Sequence, residues 1–231
     1  MGILTHNFGY NITHVQGGLS FENALLDAAF WVKENPGQMA LLGGFDEMSA
    51  YNFNIDRLAG WYKTLAFSGE GLYQTTTEGS IAGEGMAMFL VNDQPQEALA
   101  EVLDSSFFFT QNREVMEERF LQFLQKNNCC RQNIDLFFSG ENGDIRMQPF
   151  YETIENNLTE NTAIARHKHL TGEYPTASAL ALAMMVEIIA LQQVPPYLIK
   201  KWGEPSLIRK VLYYNCFKGN QHSFLLVQGV G

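Results

Sequence analysis

The sequence predicts an α/β protein in which helices cover mixed β-sheet, and three observations carry that expectation. Short β-type runs alternate with longer helical ones along most of the 231 residues, the pattern of a sheet covered by helices. Forty-six per cent of the chain is hydrophobic and 17% is charged, so a sizeable core can be buried and disorder is excluded. The most apolar run, Ala177 to Leu191, is interrupted by Glu187 and followed by Gln192-Gln193 and two prolines. It falls short of the roughly 20 residues a membrane span needs and reads as a buried helix.

Taken in order, Asn11 to Val15 (NITHV) reads as a short strand closed by a Gly-Gly turn. Ser20 to Glu34 opens on a serine N-cap and carries Phe21, Ala24, Leu25, Ala28, Ala29 and Val32 at helical spacing. Asn35-Pro36-Gly37 ends it, and Met39 to Leu42 forms a buried strand stopping at Gly43-Gly44. Residues 46 to 80, rich in Gly, Ser, Thr and Tyr, read as a long loop. Gly83 to Val91 is a strand, Gln96 to Leu103 a short helix, and Phe107 to Thr110 begins another strand. Arg113 to Lys126 is amphipathic, with acidic residues early and Lys126 near its end, as the helix dipole favours. The second half repeats the rhythm: strand Ile134 to Phe138, helix Pro149 to Leu158, strand Ala163 to His167 and helix Thr176 to Leu191. Strands Val211 to Cys216 and Ser223 to Gln228 close the chain around a turn containing Gly219. Two related α/β halves follow, 1–128 and 129–231.

Acidic residues outnumber basic ones 25 to 15, giving a formal charge of −10. That balance argues against nucleic acid and against an anionic membrane as partner. Three cysteines, none in a CxxC pair, argue against a disulfide framework and point to the reducing cytoplasm. The N-terminal MGILTHNFGYN lacks the basic and apolar regions of a secretory signal.

The residues with chemical potential do not assemble into a motif. His167-Lys168-His169, if extended, would place two imidazoles on one face. A metal would need a further ligand, and a polar strand end is the plainer reading, so neither metal nor cofactor is expected. Cys129-Cys130 has no neighbouring base to activate it, and Cys216 sits in an apolar strand as a core residue. Gly83-x-Gly85 and Gly140-x-x-Gly143 complete no phosphate loop. Asp46-Glu47 and Glu117-Glu118 read as solvated charge.

Four segments in order carry a resemblance. They are Gly43-Gly44-Phe45-Asp46-Glu47; Gly83-Glu84-Gly85-Met86-Ala87-Met88-Phe89-Leu90-Val91; Lys168-x-x-x-Gly172 followed by Thr176-Ala177-Ser178-Ala179; and Asn215-Cys216-Phe217-Lys218-Gly219-Asn220-Gln221-His222-Ser223. Together they resemble the β-ketoacyl-[acyl-carrier-protein] synthases of the thiolase fold. The resemblance implies two α/β halves with mixed sheets between helices, the N-terminal half incomplete. Relative to that family, residue 1 falls just before the strand leading to the nucleophile, so the missing strands come from elsewhere or the chain is truncated.

The resemblance also implies what each family position holds here. Gly18-Leu19 place Val15 where the nucleophilic cysteine would be, with Gln16 beside it; valine has no nucleophilic atom. Gly140 stands at the first family histidine and Glu173 at the second, while Lys168 is retained and Phe217 stands at the gating phenylalanine. Gln16, Phe217 and Gly219 are the implied substrate-contacting positions. Such a pattern resembles the chain-length-factor subgroup, non-catalytic subunits that pair with an active ketosynthase in polyketide, aryl-polyene or fatty-acid-type biosynthesis. The implied partners are that ketosynthase, in a dimer joined through Tyr10 to Val15, and an acyl carrier protein reached through the complex. Phe21, Phe45 and Phe217 are candidates for the floor of an acyl tunnel, with core packing the plain alternative for each. Two other readings stand: an acyltransferase of the same fold with a displaced nucleophile such as Ser139 or Cys216, and a truncated, inactive fragment.

Overall fold

A computed structural model describes residues 6, 9–64, 69–203 and 205–230. Helix α1 (Ser20–Glu34) buries Phe21, Leu25 and Val32 along one stripe. Ser20 is its first residue and not its cap: the Ser20 hydroxyl accepts from the Gln16 amide at 2.8 Å and donates to the Gly17 carbonyl at 2.7 Å. The turn it tightens needs Gly17 at φ +56°, a region that favours glycine.

Strands β1 (Ala40–Asp46) and β2 (Gly85–Val91) pair antiparallel, with Leu42 opposite Phe89 and Gly44 opposite Ala87. The glycines do not end β1. It runs through them, because at Gly44 an added Cβ would lie 2.9 Å from the Ala179 Cβ; strand and helix approach there without side chains between. Residues 46–80 are not one long loop. Helix α2 (Ala50–Leu58) starts at Ser49, whose hydroxyl accepts from the Asn52 amide at 3.2 Å. None of its residues is buried, so it left no apolar stripe to read.

The larger sheet is built from β3 (Ala100–Phe109), β4 (Leu136–Ser139), β5 (Ala163–Arg166), β6 (Ile199–Lys201), β7 (Lys210–Phe217) and β8 (Gln221–Gly229). Its order is β3-β8-β7-β4-β5-β6, with β4 parallel to β5 and β7 and the other pairs antiparallel. Residues 96–103, expected as a helix, form a 3₁₀ turn at Pro95–Glu97 and then enter β3. Backbone pairing with β8 outweighs a local helical pattern of a few residues. Since β3 belongs with β8, sheet membership changes between Val91 and Ala100.

Both faces of the larger sheet are covered. Val211, Tyr213, Leu225 and Val227 pack toward α1 and helix α6 (Ala177–Leu191). Leu212, Tyr214, Cys216, Phe224 and Leu226 pack with residues of helices α3 (Arg113–Lys126) and α4 (Gln148–Asn156). That double burial explains why β7 and β8 read as near-continuous apolar runs. Helix α5 (Lys168–Thr171) is one turn, so His167 and His169 do not share a strand face. His167 stacks on Phe138, and His169 meets Tyr73 edge-on. Asn11 to Val15 pairs with no strand among the described residues; a bridge from Gln16 to Gly18 is the pairing nearest it. No helix among the described residues is long and apolar enough to cross a membrane.

Candidate functional site

The site forms where β7 and the segment after β5 meet. The apolar strand KVLYYNCF carries one amide, Asn215, which is 2% exposed. Across β8 its register partner is Ser223, so both side chains leave the sheet on one face. Lys168, at the start of α5, is wholly buried. Its ammonium donates to Glu173 Oε1 and Oε2 and to Asn215 Oδ1, each at 2.8 Å. Asn142 Nδ2 donates to Glu173 Oε2 at 2.8 Å, and the Asn142 carbonyl accepts from Ser80 Oγ at 2.6 Å. Lys168 therefore meets a carboxylate and an amide oxygen in its own low-dielectric surroundings, and the charge pair is closed upon itself.

Gly140 lies against this cluster. A Cβ there would come within 2.6 Å of Asn215 Oδ1, so no larger residue fits without displacing the amide that holds Lys168. The Gly140 amide donates to the Tyr214 carbonyl at 2.8 Å and its carbonyl accepts from Tyr151 Oη at 2.8 Å. Beyond Glu173 opens a cavity of about 20 Å³, lined by Trp61, Tyr62, Asn142, Glu173, Tyr174 and Phe217, room for about one water. Gly219, at φ +73° in the β7–β8 turn, lies against Met147 on the same cavity. At the rim Lys218 pairs with Asp56 at 2.6 Å, and the Arg146 guanidinium sits 4.6 Å above the Trp61 ring.

Phe217 links the cavity to the turn before α1. Gly18 packs on its ring so closely that a Cβ at 18 would overlap it. The Gly18 amide donates to Gln221 Oε1 at 2.8 Å, while Gln221 Nε2 donates to the Gln16 carbonyl at 3.4 Å. Gly140, Lys168, Glu173, Phe217 and Gly219 are thus brought together, and Gln16 joins through Gln221. Val15 stays outside: it is 89% exposed and belongs to none of these contacts. Phe21 is core, whereas Phe45 is 70% exposed and lines no cavity at this site.

Neither displaced nucleophile is activated. Burial pushes the Cys216 thiol up to about 12, and its Sγ faces Met147 Sδ at 3.9 Å. Ser139 Oγ accepts from the Glu141 amide at 3.2 Å, with no imidazole or carboxylate bonded to it among the described residues. His222 is occupied elsewhere, between Tyr214 Oη at 2.9 Å and the Thr110 carbonyl at 3.0 Å. Among the described residues no three His, Cys, Asp or Glu side chains cluster as metal ligands. A larger groove of about 600 Å³ between α1, β2, β3 and α6 is apolar, and its ionisable lining residues are Asp93 and Glu101. It offers volume without chemistry.

Several members of the site were not singled out from sequence. An asparagine inside a buried strand is itself a signal, and Asn215 carried it. Asn142 and Ser80 lie in polar loops and carried none. Asp46, expected as solvated charge, accepts from the Thr176 amide at 2.8 Å and from its hydroxyl at 2.6 Å, tying the end of β1 to the start of α6.

No protein-family model matches the sequence, and no curated protein matches it. Solved structures do. A type II polyketide synthase acyl-carrier protein in complex with its ketosynthase superposes with a TM-score of 0.80 at 14% identity, over 99% of this chain and 65% of that one. A β-ketoacyl synthase from Burkholderia phymatum gives 0.70 at 15%, over 93% and 60%. The ishigamide ketosynthase/chain length factor gives 0.68 at 17%, over 93% and 57%. The chain has the mixed α/β fold of the thiolase-type ketosynthases. It spans about three-fifths of the length of these neighbours.

Proposed function

We propose that this chain is a non-catalytic, ketosynthase-like subunit that pairs with an active β-ketoacyl synthase and shapes its acyl tunnel. The observation that carries the reading is the closed Lys168–Glu173–Asn215 cluster. At the position the resemblance assigns to an imidazole stands a carboxylate. It accepts from a lysine and cannot donate to a developing oxyanion while ionised. Val15, at the position assigned to the nucleophile, has nothing with which to form an acyl-enzyme. One of the neighbours is a ketosynthase/chain length factor and another is a ketosynthase bound by its acyl-carrier protein, which supports the same partners here. Tyr10, Ile12 and Val15 are exposed by 58%, 53% and 89%, which is compatible with this segment pairing across a dimer axis.

The test is co-expression with an active ketosynthase encoded beside it, followed by pull-down, size-exclusion chromatography and acyl labelling. A one-to-one complex that extends an acyl chain, labelled only on the partner's cysteine, is the expected result. Covalent label on the isolated chain would instead support the displaced acyltransferase. Absence of both complex and label would support an inactive fragment.

A further inference from the structure

Helix α1 has a polar side as well as an apolar one. Away from the stripe of Phe21, Leu25 and Val32 it carries Ser20, Asn23 and Asp27, at i, i+3 and i+7, above one another on one face. All three hold the segment that precedes the helix. Ser20 Oγ accepts from the Gln16 amide at 2.8 Å, and Asn23 Nδ2 donates to Gln16 Oε1 at 2.7 Å. Asp27 takes two residues: Tyr10 Oη lies 2.9 Å from both carboxylate oxygens, and His14 Nε2 lies 3.3 Å from Oδ2. The chain before the helix therefore lies back along it, from Gln16 at Ser20 to Tyr10 at Asp27.

Between Tyr10 and Val15 the backbone makes no turn or bend, so successive side chains alternate between two sides. Tyr10 and His14 share the side held by Asp27; Asn11, Thr13 and Val15 take the other and are exposed. The hold is by side chains alone. Among the described residues no amide or carbonyl of residues 10–15 has a hydrogen-bond partner. A run containing the β-branched residues Ile12, Thr13 and Val15 is thus kept straight with its main chain unpaired, the condition of an edge strand before a neighbour is added.

We propose that Asp27, with Asn23, presents residues 10–15 as a preformed strand to which the partner subunit adds a strand of its own, a reading that rests on the pairing proposed above. Both are positioning residues, acting through Tyr10, His14 and Gln16. Fixing a loose segment on binding costs conformational entropy for every residue ordered. A segment already tied to a helix avoids most of that cost, and the main-chain bonds of strand addition then go into affinity. The strand that fits offers an unpaired main-chain edge and an apolar side chain to set against Val15, which is 89% exposed.

Backbone ¹⁵N relaxation on the full chain tests the presentation with no partner present. In the wild type the heteronuclear NOE of residues 10–15 is expected to match that of α1. Asp27→Ala puts a strong helix former at a position outside the core. It should lower the NOE of residues 10–15 to that of a loose tail, with α1 and the urea midpoint unchanged. Asp27→Asn keeps an acceptor oxygen for Tyr10 and should fall between. Low values in the wild type, or equal values in wild type and Asp27→Ala, overturn the proposal. If Asp27→Ala does not fold, Tyr10→Phe decides, since it removes the hydroxyl set between the two carboxylate oxygens; an unmoved NOE at residues 10–12 overturns the proposal as well. In complex with the co-expressed ketosynthase, Asp27→Ala should weaken binding on the order of tenfold, and undiminished affinity counts against it equally. A wild-type chain that forms no complex overturns the pairing itself, a failure the relaxation data distinguish from loss of the preformed strand.

Discussion

Lys168 and Glu173 show how a single pair can define a site and endanger it. Both are buried, and each neutralises the other at 2.8 Å. A buried ion pair is weakly stabilising as a whole, because desolvation offsets the attraction, yet it is costly to break from one side. Lys168→Met is therefore expected to lower stability by about 3–5 kcal/mol, leaving Glu173 charged with Asn142 as its remaining donor. The double variant Lys168→Met, Glu173→Met removes the stranded charge and recovers most of that loss. Urea denaturation of the three proteins checks both statements; equal stability of the single and double variants would show that the pair is not coupled.

Between elements, His222 pins β8 to β3 and β7. The Thr110 carbonyl can only accept, so Nε2 carries the proton, and Nδ1 accepts from Tyr214 Oη. Burial then lowers His222 from 6.5 to about 4. For a base held neutral by folding, the stabilisation is complete above the unfolded pKa and is lost as pH falls through the folded one. The window runs from 6.5 down to about 4 and corresponds to about 3 kcal/mol. His222→Gln lacks that titration. The difference between wild-type and variant stability should shrink by this amount between pH 7 and pH 4, measured by denaturant titration at each pH. A pH-independent difference would place the imidazole outside this linkage.

At the scale of the molecule, the two sheets are unequally protected. The six-stranded sheet has helices on both faces, whereas β1 and β2 form a pair with one face covered. The other face presents Leu41, Phe45, Met86 and Leu90, exposed by 57%, 70%, 67% and 70%. A two-stranded sheet with open edges and an apolar surface is a template for association. The isolated chain is expected to self-associate with rising concentration, despite its charge of −10. Leu41→Lys with Leu90→Lys should suppress this while leaving the urea midpoint nearly unchanged, because neither side chain is in the core. Sedimentation velocity over a concentration series measures it, and equal association of wild type and variant would remove this face from the account.

The sequence by itself determined the α/β class, α1, α3, α6 and the closing strands β7 and β8, because long periodic or doubly buried segments write their environment into residue order. It also placed Lys168, Glu173, Gly140 and Phe217 in one site, through motif order and not through any local chemical signal. Other features were decided by tertiary structure. Residues 100–109 became a strand because β8 offered a backbone to pair with, and β1 continued through Gly43-Gly44 because α6 needed the close approach. Asn11 to Val15, with a strand-like pattern, pairs with no strand among the described residues. The burial of Glu22 and the capture of Asp46 by Thr176 join positions far apart in the chain. Sequence periodicity records which face of an element is apolar. It does not record which polar group another element will bring against that face.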